Sequence, residues 1–342
     1  MKQTLFMRQL DTYFESYLPE VKMCSKNTSS AYGDAFTLLF CFFEQEKGIP
    51  HYLIDYKHLS VDVFDDFVIW LGKERNCGAA SKKHRMSAIS SFLKYASKRE
   101  IPALRALNNI VSIDKPSVPN SPFPYFTLEE TKILLSQPNP SERLGARDMV
   151  LMSLLYDSAA RAQELCDIKV CDIRFTSPAK IGLHGKGNKS REVPISDEVS
   201  QLLKFYLKSV GLNNLENRDK HLFSSQTHEM MTTSCVRGIV KKYVSVAKSM
   251  HPNLFGSPKY SPHSLRHSKA VHMVEAGNAL IYIRDFLGHK TVKSTEIYAR
   301  VSQDAVTKAL TERKIPTLSP NADSIKNNAR SQNFPKFLSR RK

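Results

Sequence analysis

The stretch SPHSLRHSKAVHMVEAGNALIYIRDFLGHKTVKSTEIYARV, residues 261–301, decides the fold and most of the chemistry. Its apolar spacing predicts helices over 262–276 and 278–287 and a third over 291–313. Ser261 and Pro262 are the residue types of an N-cap and a first-turn position. His263 and Arg266 then fall three residues apart in that first turn and point to one side. Leu287-Gly288-His289 ends the second helix, and Tyr298 lies nine residues further on, in the third. Taken singly, Tyr298 beside Ile297 and Val301 reads as a core residue with a wet hydroxyl.

Working outward toward the N-terminus, helices are expected over 232–250 and 197–209, and residues 169–195 then change character. Short extended runs around Gly and Asn, including Lys180-Ile-Gly-Leu-His and Arg191-Glu-Val-Pro-Ile, read as a small antiparallel sheet with a tight turn near Gly187-Asn188. A long helix is expected over 141–161, and Thr127 with Glu130 has capping-box spacing. Pro116, Pro119, Pro122 and Pro124 block helix and hold the chain extended, which marks a linker. Ahead of it the chain reads as helices. One apolar stripe runs from Phe6 to Leu18, and a second helix is capped by Thr28 and stopped by Gly48 and Pro50. Two more are expected over 62–72 and 81–99. The expected class is mainly α with a small antiparallel β-sheet. Its parts are a helical domain (1–112), a linker (113–126), a mixed α/β domain (127–315) and a basic tail (316–342).

A chain of 342 residues fits two domains better than one core. Fifty Lys and Arg against 33 Asp and Glu leave a net charge of +17, an excess that points to an extended polyanion, nucleic acid ahead of membrane. The longest near-apolar run, 35–43, is too short to span a bilayer, and no signal peptide is expected at the N-terminus. Six cysteines without a CxxC pair indicate neither a zinc site nor a disulfide framework, which fits a cytoplasmic protein. The helix expected over 81–99 carries Lys82, Lys83, Arg85, Lys94, Lys98 and Arg99 with no acid between Lys82 and Arg99. A merely solvated face usually mixes both signs to gain pairing, so this one reads as a surface that tracks phosphates.

Four places hold polar groups suited to chemistry: Arg161 with Glu164, Lys186 in a glycine-flanked turn, His263 with Arg266, and His289 with Tyr298. Each has an ordinary explanation alone. Together they give two guanidinia, an ammonium, two imidazoles and a phenol, with no cluster of carboxylates to hold a metal. That set suits phosphoryl transfer in which fixed cations stabilise the charge, with no metal or cofactor.

Ala160-Arg161-Ala-Gln-Glu164-Leu, Gly185-Lys186-Gly-Asn-Lys, His263-Ser-Leu-Arg266-His267 and Leu287-Gly288-His289 with Tyr298 resemble the signature boxes of the tyrosine recombinase (phage integrase) family, in order and spacing. The resemblance covers about 127–313. It implies a core-binding domain of SAM-like helices ahead of a recombinase catalytic domain. It makes Tyr298 the nucleophile on a scissile DNA phosphate, giving a 3′-phosphotyrosyl link and a free 5′-hydroxyl. Arg161 and Arg266 would grip the non-bridging oxygens, His263 would take the phenol proton, and Lys186 would protonate the 5′-oxygen. His289 would hydrogen-bond the phosphate, and Glu164 would orient the first box. His267 and Lys189 lie beside the motif without being catalytic members of it.

One departure is visible. The family usually has Gly-Leu before the first Arg and a small polar residue two after it, where this chain has Ala159-Ala160 and Gln163. The implied partners are double-stranded DNA, three further copies of the chain in a synaptic tetramer (a monomer or dimer when free), and accessory directionality proteins. An enzyme of a mobile element, or a Xer-like resolvase, would be nucleoid-associated. A type IB topoisomerase uses similar residues, and a non-catalytic DNA-binding regulator could keep the same fold.

Overall fold

The computed structural model describes residues 3–114, 123–185, 189–225 and 227–301. The chain divides into two compact units, 1–121 and 122–342.

The first unit is helical. Helix α1 (Leu5–Thr12) starts where the Thr4 hydroxyl accepts the Met7 amide, and it runs on as a π-helix over Tyr13–Val21. Pro19 lies inside that wider turn, where its missing N–H breaks the regular α ladder. Helix α2 (Lys26–Glu46) is capped by Ser25, one turn earlier than the expected Thr28; the Ser25 hydroxyl accepts the Thr28 amide. Helices α3 (Val61–Lys73) and α4 (Ala79–Ala96) follow the expected periodicity. Lys98 and Arg99 lie past the end of α4. The sequence reading did not separate out a fifth helix, α5 (Ile101–Ser112). Pro102 sits in its first turn, where a missing N–H costs nothing, and Ala103, Ala106 and Ile110 face inward. The core of the unit is aromatic. The Phe92 ring meets Phe6, Tyr13 and Phe36 edge-on at 5.2–5.5 Å, a geometry that favours the ring quadrupoles.

The second unit begins, after an extended segment from Phe123, with α6 (Leu128–Leu135). The expected capping box is formed: Thr127 accepts the Glu130 amide and Glu130 accepts the Thr127 amide. The long helix expected over 141–161 is instead α7 (Arg143–Asp157) and, after a break, the short α8 (Ala162–Asp167). The break falls at Ala159, which adopts a left-handed φ of 47° that no α-helix tolerates. Strands β1 (Ile173–Arg174), β2 (Lys180–Gly185) and β3 (Lys189–Pro194) form an antiparallel sheet in that order, with Leu183 opposite Arg191. The expected turn at Gly187-Asn188, and Lys186 with it, lies outside the described residues.

Helices α9 (Asp197–Ser209), α10 (Thr233–Met250), α11 (Pro262–Glu275) and α12 (Leu280–Leu287) agree closely with expectation. The last described helix is α13 (Glu296–Val301), preceded by a 3₁₀ turn at Val292–Ser294; the remainder of the predicted 291–313 segment and the tail fall outside the described residues. Leu151, Leu154, Ile181, Leu183, Val240 and Leu265 centre the core of the unit, and a smaller cluster of Ala159, Ala270, Val271, Ile283, Leu287 and Tyr298 lies under α11 to α13. No described helix is long and apolar enough to cross a membrane.

Candidate active site

Four local devices bring the site together. The first is the break after α7. Because Ala159 turns the chain with a positive φ, Arg161 becomes the N-cap residue of α8, and Glu164, three residues on, accepts its amide at 2.9 Å and its guanidinium at 2.6 Å. The second is the register of β2 and β3. Residues directly opposite share a face of the sheet, so Arg191, opposite the buried Leu183, points inward. There it meets both carboxylate oxygens of Glu164, at 3.0 and 2.9 Å, and donates Nε to the Phe286 carbonyl at 3.2 Å.

The third device is the N-terminus of α11. Ser261 and Ser264 form a reciprocal cap, which sets His263, Arg266 and His267 in the first two turns. Arg266 is 2% exposed and holds no carboxylate: Nη1 donates to the Ala159 carbonyl and Nη2 to the Leu287 carbonyl, both at 2.6 Å. The fourth is the end of α12. Gly288 takes a left-handed φ of 64°, so its amide and that of His289 turn back onto the Asp285 and Arg284 carbonyls. His289 follows that turn, with Nδ1 3.1 Å from the Thr295 hydroxyl.

Tyr298 enters from α13. It is 1% exposed, its ring lies 6.4 Å from that of His289 in a stacked orientation, and its hydroxyl is 3.0 Å from His267 Nδ1. The Phe123 ring lies against both members of that pair, 5.2 Å from Tyr298 and 4.5 Å from His267.

The electrostatics follow from burial and from the guanidinia. Burial alone would raise the Glu164 carboxyl, but hydrogen bonds from Arg191 and Arg161 overcome it and hold the group down at about 2. Burial, with Arg161 and Arg191 nearby, pulls Arg266 down to about 10, so it stays charged at neutral pH. Burial, with Arg266 and Arg161 nearby, lowers His263; burial with Arg266, Arg161 and Arg191 takes His289 to about 4; and burial, His263 and Arg266 take His267 to about 4. All three imidazoles are neutral before a substrate arrives. Burial raises Tyr298 above its ordinary value while Arg266 and Arg161 oppose it, so the phenol keeps its proton. Three guanidinia stand against the one carboxylate of Glu164 in this cluster, a surplus of positive charge that an oxyanion can balance.

Of the residues singled out from the sequence, Arg161, Glu164, His263, Arg266, His289 and Tyr298 gather here from α8, α11, α12 and α13. The structure adds two residues to these. In sequence Arg191 is only a strand residue, and its role emerges because the buried Glu164 carboxylate takes a second guanidinium beside that of Arg161. His267, a neighbour of the motif in sequence, is the ring that meets the Tyr298 hydroxyl.

Residues 124–304, more than half of the chain, match the phage integrase family. A tyrosine recombinase of Pseudothermotoga lettingae is 27% identical over 315 residues, covering 90% of this chain and all of that one. Tyrosine recombinase XerC of Chlamydia caviae is 32% identical over 229 residues, 67% of this chain and 70% of the relative. The fold is shared with the XerH site-specific recombinase bound to palindromic difH substrate (TM-score 0.66, 22% identity, 83% of this chain and 79% of that one). It is also shared with the Tn1549 transposon integrase in complex with a circular intermediate DNA (TM-score 0.65, 16% identity, 91% and 99%). A site of fixed cations around a buried tyrosine and the family match agree: the chain belongs to the phage integrase family of tyrosine recombinases, enzymes of site-specific DNA recombination.

Proposed function

We propose that this chain cleaves and rejoins the strands of its own recombination sites, with Tyr298 as nucleophile. The observation that carries the reading is the placement of the Tyr298 ring beside His289, within a cluster where Arg161 and Arg266 have no carboxylate of their own to neutralise beyond Glu164. Arg161, whose side chain is 40% exposed, and Arg266 fit the non-bridging oxygens of a phosphate. His263, exposed in the first turn of α11, and His289 complete the cradle as donors.

Attack by the Tyr298 oxygen forms its bond to phosphorus as the bond to the 5′-oxygen breaks. The phenol proton passes to a neighbouring imidazole, and Lys186 supplies a proton to the 5′-oxygen. One phosphoester replaces another, so a 5′-hydroxyl from a second strand reverses the step and joins that strand. The exchange needs no external energy source. Glu164 and Arg191 hold Arg161 in place without touching the phosphate.

The duplex outside the site falls to the 1–112 domain. Lys83, Lys94, Lys98 and Arg99 are exposed, while Lys82 and Arg85 are half-buried beneath them. Lys83, Ser87, Ser90 and Lys94 recur at a spacing that puts them on one face of α4, and Lys22 joins that face through the Ser91 hydroxyl at 2.9 Å. Cations and hydroxyls in a row suit a phosphate backbone. A tetramer on two duplexes, with the 316–342 tail docking on a neighbouring copy, completes the reading.

A nicked suicide duplex taken from the DNA that flanks the gene tests it. The wild-type chain is expected to accumulate a covalent adduct, and Tyr298→Phe to form none. An adduct that survives this change refutes the assignment.

A further inference from the structure

The family resemblance gives the proton of the nucleophile to His263, but the geometry points to another ring. Resting on the reading of Tyr298 as nucleophile, we propose that His267 is the general base that takes its proton, with Phe123 shielding the pair from water.

Three observations converge. The Tyr298 hydroxyl, on a residue 1% exposed, is 3.0 Å from His267 Nδ1. That is hydrogen-bond reach for direct transfer. His263 is exposed, and its ring centre lies 5.6 Å from that of His267, nearly perpendicular to it. Phe123 packs its ring against both partners and brings no polar atom of its side chain to compete for the proton.

The charges facing His267 make the base conditional on substrate. From its own helix come His263 and Arg266; from the turn after α12 comes His289; from α13 comes Tyr298 itself. With burial, those neighbours hold the imidazole neutral; the proposed step takes the tautomer whose ring proton is on Nε2, so that Nδ1 accepts from the phenol. In the DNA-free protein the proton therefore stays on the phenol, and the nucleophile is silent. A phosphodiester seated among Arg161, Arg266 and His289 brings negative charge against the cations that depress His267, and the pentacoordinate state brings more. Protonation of His267 becomes favourable only then.

The balance of the step is simple. The proton leaves the Tyr298 oxygen for Nδ1 of His267 while that oxygen bonds phosphorus. The bond to the 5′-oxygen breaks, and that oxygen is protonated by Lys186. On rejoining, the incoming 5′-hydroxyl gives its proton to the now neutral Lys186 as its oxygen bonds phosphorus, and His267 returns its proton to the departing Tyr298 oxygen.

Glutamine can accept the hydrogen bond of the phenol but cannot take its proton, so His267→Gln separates holding from deprotonating. The full chain is compared with His267→Gln, His263→Gln and Tyr298→Phe in single-turnover cleavage at saturating DNA across pH. The suicide duplex carries a 5′-bridging phosphorothiolate, whose thiolate leaves without an acid, so the remaining pH dependence belongs to the base. The wild-type rate is expected to rise with pH through the His267 ionisation and then level off.

His267→Gln is expected to bind DNA as tightly, to lose about 10²–10⁴-fold in rate, the usual contribution of a general base, and to lose the acid limb. His263→Gln keeps that limb. If His267→Gln folds poorly, His267→Ala with added imidazole gives the same reading: restored cleavage supports the base, and none overturns it. Wild-type cleavage by His267→Gln with the acid limb intact, or loss of that limb in His263→Gln instead, overturns the proposal. An adduct in Tyr298→Phe would instead overturn the nucleophile assignment.

Discussion

Arg191 grips Glu164 through both carboxylate oxygens, Nη1 on Oε1 at 3.0 Å and Nη2 on Oε2 at 2.9 Å, across 27 residues of chain. Arg161 Nη1 donates to the same Oε1 at 2.6 Å. One buried carboxylate thus sets the position of the Arg161 guanidinium, and it ties the sheet to α8.

The first consequence is a pH dependence. The folded Glu164 carboxyl lies at about 2 against an ordinary 4.5. A depressed carboxylate contributes stability that is complete above its unfolded value and is lost as pH falls toward its folded one. The contribution here is at most about 3 kcal/mol at neutral pH. Glu164→Gln is expected to lower stability at pH 7 and to flatten its decline between pH ~5 and ~2, read by denaturant unfolding at each pH. An unchanged acid decline in the variant would show that the carboxylate is not held by its two guanidinia. Arg191→Lys, which keeps the charge but not the fork, is expected to weaken cleavage without restoring the bidentate grip.

Gly288 carries the second. Its left-handed φ of 64° ends α12, and a Cβ built there would lie 3.0 Å from Arg191 Cδ. Gly288→Ala combines backbone strain of about 1 kcal/mol with pressure on Arg191. Its expected signature is a small fall in melting temperature and a large fall in cleavage, because the same turn aims His289 and frees the Leu287 carbonyl for Arg266. Loss of stability without loss of cleavage would separate the turn from the site.

Most of this site is legible in sequence, for a physical reason. Arg161 with Glu164, and His263 with Arg266, are three apart on single helical turns, so local spacing already places each pair. The capping box at Thr127 and Glu130 is legible in the same way. Arg191 is not, because its role depends on strand register and on a carboxylate far away in the chain. His267 is not, because which ring meets Tyr298 depends on how α13 returns across α11. Ala159 shows both sides. The departure from the usual Gly was visible, but only the structure shows that the position takes a positive φ, which Gly adopts freely and Ala adopts at a cost.

The basic face of α4 gives the last prediction, and salt is the variable that decides it. Lys83 and Lys94 are exposed on one face with Ser87 and Ser90 between them. If they track phosphates, each neutralises one and releases condensed counterions, so log K falls with log salt in proportion to their number. Lys83→Ala and Lys94→Ala are each expected to weaken binding by a similar factor on specific and unrelated duplexes, and to lower the salt slope by about 1. The double variant is expected to lower it by about 2, since the two contacts are independent. The single-turnover rate at saturating DNA should not change, because neither lysine belongs to the catalytic cluster. A slope that stays constant while affinity falls would mean that the lysines stabilise α4 or read bases and do not pair with the backbone.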